Sequence, residues 1–333
     1  MPFETNAGKF QIASLKTRQL LLLLHLDEQR SVLHAAAAAN MTQPAASKLL
    51  SEMEHLVGVA LFERHARGVE PTACGELLIR RARSALSELA RARDEIVALR
   101  SGRLGSAAIG TVVNPGTNLV PMAITAVKRD YPGVQILVEM DYSRPLVAKL
   151  LDGQLDIVVG RIMDPEIAAD LVFEPLADEP HAVIVRVGHP LTRRRRIAHA
   201  DLVDYGWIVP PAASVLRARL DAAFLEHGLQ PPQNIVETSS LPVVTNLLRA
   251  SDLLTALPIE AVAAHVQARQ LTALPIALGV HMQEFGIIRR RDQQLTPAAE
   301  RVLEALHAAA QKLYARTSAT RGNVARPPAR RKA

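Results

Sequence analysis

The chain has 333 residues, of which 49% are hydrophobic and only 3% aromatic, with a net charge of +6 and one cysteine. That length supports two or three domains with aliphatic cores, and a single cysteine, Cys74, excludes an intramolecular disulfide or a multi-cysteine metal site. The stretch MPFETNAGKFQIASLKTRQ has no apolar signal-peptide core, and the run Leu20–Leu24 falls far short of the roughly 20 residues of a membrane span, so a cytoplasmic protein without a membrane partner is expected.

Charge is unevenly spread. The net charge is zero over residues 1–72, +3 over 73–105, −2 over 106–316 and +5 over 317–333. The last segment, TSATRGNVARPPARRKA, is rich in Pro and Arg, so 317–333 reads as a basic disordered tail. Bulk charge in the first 72 residues gives no reason to expect nucleic acid there. Any such reason must come from geometry.

Residues 15–72 read as short helices with tight connections. Leu15 to Leu26 has a strongly apolar helical pattern. Ser31 is a plausible N-cap for a helix through HAAAAA. Asn40-Met41-Thr42 breaks that helix, and Thr42 can cap the next, with Pro44 in the first turn where a missing N–H costs nothing. Leu49, Leu50, Met53 and Leu56 supply its buried face. Thr42, Gln43, Ala45, Ala46, Ser47, Lys48 and Ser51 form an unusual cluster of small and polar residues on the opposite side. Helix, short turn, helix is the helix-turn-helix layout. After Gly58, Val59, Leu61 and Phe62 anchor a hairpin whose exposed tip, or wing, carries Glu63, Arg64, His65, Arg67 and Gly68.

Residues 73–103 read as one long helix, uninterrupted by Gly or Pro from Glu76 to Ser101. Leu78, Ala82, Ala85, Leu89, Ala92, Ile96 and Leu99 recur at spacings of 4, 3, 4, 3, 4, 3, a seam that predicts pairing with another helix. An amphipathic helix lying on its own domain is the alternative. Gly102 and Gly105 make a candidate hinge.

From residue 106 the pattern becomes β-branched runs alternating with helical ones. AAIGTVV, VQILVEM, LDIVVG, HAVIVRV, WIVP, NIVET, LLTAL and FGIIR read as strands, and GTNLVPMAITAVKRD and PLVAKLLDG as helices. Such alternation predicts parallel sheets with helices on both faces. Two blocks predict two lobes, the first about 106–180 and 267–316, the second about 181–266. The final helix, TPAAERVLEALHAAAQKLYAR, is expected to pack back on the first lobe.

Taken together, these residues resemble the LysR-type transcriptional regulators, from about Leu15 to Tyr314. The T-Q-P-A-x-S of Thr42 to Ser47, the L-F-E-R of Leu61 to Arg64 and the T-x-x-G of Thr72 to Gly75 stand at the family's mutual spacing. YPGVQILVE and LDGQLDIVVG look like landmarks of its effector domain. HLDEQRSVLHAAAAANMTQPAAS and DYSRPL are most similar to the branch containing the galactose-binding-protein regulator. Two departures are visible: LLLLLHL lacks the aromatic residue often found in the first helix, and the basic tail is an addition.

The resemblance implies an N-terminal all-α winged helix-turn-helix with a long linker helix, and a C-terminal α/β two-lobed, periplasmic-binding-protein-like effector domain over 106–316. It implies a sequence-specific DNA-binding regulator under small-molecule control, not an enzyme. A recognition helix meets base edges in the major groove with its N-terminal residues. Gln43 can read adenine, Lys48 guanine or phosphate, and Ala45 a thymine methyl, with Thr42, Ser47 and Ser51 bonding phosphates or bases. Ser31 is a phosphate contact. Arg64 and Arg67 enter the minor groove or bind the backbone; for Arg64 a salt bridge to a nearby Glu is the alternative. A dimer on the long helix reads a near-palindrome, and a homotetramer and contact with RNA polymerase extend that picture.

The effector is expected where strands end and helices begin, at Asn114, Pro115 and Thr117, at Ser214, and at Thr238, Ser239 and Ser240. Helix N-termini favour an acidic or hydroxylated molecule, a sugar or organic acid. Arg144 and Arg161 can reach the same space or form structural ion pairs; Ser214 and Thr238 can simply cap helices. No cofactor or metal is expected. The chain contains no H-E-x-x-H, G-x-S-x-G, G-x-x-x-x-G-K-[ST] or G-x-G-x-x-G, and Cys74 reads as a buried thiol rather than a nucleophile. The competing functions are a solute-binding module and an architectural DNA binder without effector control.

Overall fold

The computed structural model describes residues 14–66, 68–100, 105–212 and 214–321, with the side chains at 94, 95, 98–100 and 315–321 outside the description. The chain divides into two compact units, one centred on residues up to Gly105 and one on those that follow. Among the described residues no helix is long and apolar enough to cross a membrane.

The first unit comprises α1 (Thr17–Gln29), α2 (Val32–Ala38), α3 (Gln43–Val57), β1 (Phe62–His65), β2 (Gly68–Pro71) and α4 (Ala73–Arg100). Apolar residues at helical spacing make its core: Leu22, Leu26, Ala35, Leu50, Met53 and Leu61 pack together. Arg30 and Asn40 adopt left-handed backbone, at φ 51° and 53°, to turn the chain out of α1 and into α3; Asn tolerates this conformation better than most residues.

The helix α4 departs from the expected pairing seam at its start. Ala82 is 3% exposed and Leu78 packs against the same core, alongside Ile79, because α1 lies against these turns. Leu78 and Ala82 therefore serve their own domain. The seam is open only from Ala85 onward, with Leu89 62% and Ile96 58% exposed and Ala92 exposed. The side chain of Leu99, and Gly102 of the candidate hinge, lie outside the described residues. Cys74 is exposed, not buried, because it sits one residue off the inward face of Gly75, Ile79 and Ala82.

The second unit runs β3 (Ser106–Thr111), α5 (Val113–Thr117), α6 (Leu119–Asp130), β4 (Gln135–Met140), α7 (Ser143–Leu151), β5 (Ile157–Gly160), β6 (Leu171–Arg186), β7 (Trp207–Val209), α8 (Val215–Glu226), β8 (Ile235–Glu237), α9 (Leu241–Ala250), β9 (Thr255–Pro258), α10 (Ala263–Gln267), β10 (Leu271–Ala273), β11 (His281–Arg290) and α11 (Pro297–Arg321). One sheet has the order β10–β6–β11–β5–β3–β4, with β9 also paired to β6, while β7 and β8 form a separate parallel pair. The expected parallel pairing holds for β3 with β4 and β5. The strands β11 and β6 are antiparallel instead.

The antiparallel strands are the connection between the lobes. The first part of β6 pairs with β11, from Leu171 opposite Arg290 to Pro180 opposite His281. Its last part pairs with β9 and β10, His181 facing Pro258 and Arg186 facing Leu271. A strand beginning at His181 was the sequence expectation; Pro175 and Pro180 mask the ten residues before it, since Pro ordinarily argues against a strand interior. The boundary of the lobes shifts for a related reason. Leu274, Leu278 and Val280 are buried with Trp207 and Phe224, so 267–280 belong to the second lobe, not the first.

In the first lobe Ile109, Val159, Phe285, Val302 and Leu306 share a core, and α11 packs back on it as expected. α11 continues to Arg321, five residues into the segment read as a tail, because no Gly or Pro stops it before Gly322; residues beyond 321 lie outside the description. The single helix expected after β3 is divided. Asn118 leaves helical geometry at φ −136° and its Oδ1 accepts from Leu119 N at 2.6 Å, starting α6 afresh.

Candidate functional site

In the first unit the second and third helices present a polar helix end. Thr42 caps α3, its Oγ1 accepting from Ala45 N at 3.4 Å, and Pro44 occupies the first turn. Ser31 caps α2 in the same way, accepting from His34 N at 3.4 Å. Gln43, Pro44, Ala45, Lys48 and Ser51 are exposed and Ser47 is half-buried. Ala46, grouped with them on sequence, is fully buried: it falls on the Leu50 and Met53 side of α3, where its small side chain lets the helix sit close to the core.

The wing is held rigidly at its base. β1 and β2 pair antiparallel, with Arg64 opposite Val69. Val69 N donates to Arg30 O at 2.9 Å, and a Cβ on Gly68 would stand 2.2 Å from that same oxygen, so only glycine fits. Glu54 on α3 accepts from Leu61 N and Phe62 N at 2.8 and 3.2 Å. Arg64 is exposed and makes no ion pair among the described residues, so the alternative of a salt bridge to a neighbouring Glu is not what forms. Arg67 lies outside the described residues.

The T-x-x-G segment joins wing to α4. Thr72 Oγ1 donates to Ala60 O at 2.9 Å and accepts from Gly75 N at 3.0 Å. Thr72 N donates to Leu61 O at 2.9 Å. Gly75 is needed because a Cβ there would lie 2.0 Å from Leu61 O.

The second unit contains a cleft of about 690 Å3 between its lobes. Of the predicted effector residues, Asn114, Arg144, Arg161, Ser214, Thr238, Ser239 and Ser240 line it. Pro115 and Thr117 do not: Pro115 is buried in α5, and Thr117 is exposed, its hydroxyl donating to Asn114 O at 2.7 Å. The short α5 turns both away from the cleft.

The two arginines that line the cleft are already partnered. Arg161 is 4% exposed; it pairs with Glu179 at 2.5 Å and donates to Gln283 O at 2.6 Å, and its guanidinium stands 5.8 Å from the Phe285 ring centroid. Burial pushes the Glu179 carboxyl up, against the opposing pull of Arg161 and of the Asn114 amide. Arg144 pairs with Asp164 at 2.8 Å on the surface. Ser214 caps α8, accepting from Leu216 N at 3.2 Å; Thr238 instead accepts from Ser240 N at 3.1 Å in the turn before α9, whose N-cap is Ser240, and both line the cleft.

Sequence reasoning missed several cleft residues. Asp141, Tyr142, Met163, Glu179, His181 and Met282 all line it. Burial raises the pKa of the Tyr142 hydroxyl, against the opposing pull of Ser239. Burial lowers His181 to about 4, so its ring is neutral near pH 7. No spacing signal announced Glu179, His181 or Met282. They meet the cleft only because β6 and β11 cross between the lobes.

Known proteins match both units. Residues 17–76 match the family described as bacterial regulatory helix-turn-helix protein, lysR family, and residues 100–311 match the LysR substrate binding domain. The chain is 38% identical to the HTH-type transcriptional regulator GbpR of Azospirillum brasilense over 92% of this chain and 90% of that protein. It is 39% identical to GbpR of Rhizobium radiobacter over 69% and 76% of the respective chains. Full-length LysG of Corynebacterium glutamicum, solved with bound effector Arg, is similar in fold at TM-score 0.60 and 20% identity, covering 90% of this chain and 99% of that one.

Proposed function

Because the chain belongs to the LysR family of bacterial helix-turn-helix transcriptional regulators, not to a family of enzymes, we propose a specific division of work for its residues. The α3 face of Gln43, Ala45, Ser47, Lys48 and Ser51 reads bases in the major groove of double-stranded DNA, with Thr42 and Pro44 setting its first turn. Ser31 at the head of α2 bonds a phosphate, and Arg64, with Arg67, contacts the backbone or minor groove. The observation that carries this reading is the exposed, short-chained N-terminal end of α3. It offers hydrogen-bonding groups to a partner that must approach the backbone closely.

Two copies of the chain associate through the open part of α4, from Ala85 to Ile96, and so address a near-palindromic promoter site as a dimer or tetramer in the cytoplasm. An effector, acidic or hydroxylated, occupies the cleft and binds one lobe arrangement better than the other. It shifts the balance only by that difference in affinity, and contact with RNA polymerase is the readout.

The test is selection of bound genomic fragments by the purified protein at near-physiological salt, in parallel with Gln43→Ala. We expect enrichment of fragments sharing a near-palindrome, and for Gln43→Ala a relaxed preference at one position per half-site, at a cost of about 1–3 kcal/mol. No enrichment over random DNA would overturn the base-reading role of α3.

For the seam, Ala85→Glu places a charge where helices approach. It is expected to weaken self-association and operator binding at least tenfold, or about 1.4 kcal/mol, while both units stay folded, as sedimentation and gel retardation can show. Unchanged self-association would exclude α4 from the interface.

A further inference from the structure

Between β6 and β7 the chain runs LTRRRRIAH, which sets four arginines, Arg193 to Arg196, in a row. Residues 106–316 together carry a net charge of −2, so the run is a positive island on an otherwise acidic stretch. Thr192 to Arg196 are all exposed, yet their loop is firmly held. Leu191 before the run and Leu202 after it are fully buried in one core, and Ile197 packs on that core too. His189 is fully buried as well; its Nδ1 accepts from Leu191 N at 3.2 Å, so the ring proton sits on Nε2, which donates to Asp252 O at 3.2 Å. Thr192 Oγ1 donates to His189 O at 2.6 Å. Arg194 pairs with Asp201, whose other carboxylate oxygen accepts from Ala198 N at 2.8 Å. That pair closes the loop and uses the one acid between Pro190 and Leu202.

The other three, Arg193, Arg195 and Arg196, make no ion pair among the described residues. Elsewhere on this lobe Arg186 is paired with Asp252 and Arg217 with Asp221. Neighbouring guanidiniums repel one another, and an ordered loop that keeps three of them together without acids has the electrostatic form of a polyanion site. Two observations favour duplex DNA over an acidic protein. Thr192 to Arg196 offer no apolar side chain, whereas protein interfaces draw most of their affinity from buried aromatic or aliphatic anchors; the arginine fork suits phosphate oxygens directly. Residues 1–72, which include the α3 face, have a net charge of zero, although affinity for duplex DNA rests heavily on neutralised phosphates. We propose, resting on the DNA-binding reading of this chain, that Arg193, Arg195 and Arg196 are a second DNA contact. They bond backbone phosphates of the bound duplex and supply sequence-independent affinity that the base-reading unit lacks.

The test titrates the full chain against two labelled duplexes of equal length, one enriched in the fragment selection and one of random sequence, over a series of salt concentrations. The triple variant Arg193→Gln, Arg195→Gln, Arg196→Gln is measured beside the unsubstituted protein. Its plot of log affinity against log salt should be shallower by about 2–3 for each copy of the run in contact. At near-physiological salt both duplexes should lose affinity by a similar factor, about tenfold or more, with the ratio between them preserved. Gln43→Ala should do the reverse, changing the ratio and leaving the slope. If the triple variant does not fold, Arg195→Gln with Arg196→Gln carries the test, with a slope shallower by about 2.

An unchanged salt slope in the folded variant would overturn the proposal. A loss confined to the enriched duplex would overturn it as well, since the arginines would then be reading sequence. Poly-glutamate bound by the unsubstituted protein and lost by the variant, with the DNA slope unchanged, would assign the run to an acidic protein instead. Equal affinity of the unsubstituted protein for both duplexes would fall on the α3 reading alone, because the random duplex still decides the role of the arginines.

Discussion

Gly75→Ala is expected to destabilise the N-terminal unit by about 3 kcal/mol or more, through overpacking against a backbone that cannot yield. The added Cβ would lie 2.0 Å from Leu61 O and 3.0 Å from Leu61 C. Leu61 is pinned from three directions. Its carbonyl accepts from Thr72 N at 2.9 Å, its N–H donates to Glu54 at 2.8 Å, and its side chain is fully buried. Relief would require moving the wing or the start of α4, and either breaks hydrogen bonds that join them. DNA binding should fall with the folded population, and Cys74→Ala, one residue away and exposed, should be nearly neutral. Denaturant unfolding followed on the N-terminal transition reads the difference. An unchanged midpoint for Gly75→Ala would mean that the junction is not the rigid element described.

The second large effect lies in the effector unit. Arg161→Met is expected to cost about 3–5 kcal/mol, because it leaves the Glu179 carboxyl buried without its cation. Arg161 and Glu179 have side chains only 5% and 6% exposed, so water cannot replace the lost partner. The double variant Arg161→Met, Glu179→Leu should recover most of the loss, since burying neither charge is cheaper than burying one. The single variant also carries a pH signature. Burial already raises the Glu179 pKa above the usual 4.5 against the lowering pull of Arg161, so removing Arg161 raises it further, and between the ordinary and the raised value the folded variant holds a proton that the unfolded chain releases. Stability of the variant then falls as pH rises from the ordinary carboxylate value to the raised folded one and is lost in full above it, so the deficit of Arg161→Met should be smaller near pH 5 than near pH 8. Equal deficits in the single and double variants would show that the pair is not coupled.

Much of the first unit was legible in the residues themselves. Its helices are short-range objects, set by apolar spacing, by caps such as Ser31 and Thr42, and by Pro44 at a helix start; its motifs are contiguous, so Thr72 and Gly75 follow directly on the wing in the chain itself. The same holds for the alternation of strands and helices after residue 106. What sequence alone misjudged was long-range. Ala46, Leu78 and Ala82 have the composition of an interface, yet the fold turns them into their own core, because which stripe of a helix is covered depends on what packs there. Pro175 and Pro180 hid β6, and with it the true boundary of the lobes. Part of the cleft was invisible for the same cause: Glu179, His181 and Met282 stand far from Asn114 and Arg161 in the chain and reach the cleft only where β6 and β11 cross. Local propensity and periodicity determined the elements, and contiguous motifs carried the family resemblance; the partners of buried charges, and so the chemistry of the cleft, were decided by tertiary packing, since desolvation and hydrogen bonding depend on neighbours that no local pattern specifies.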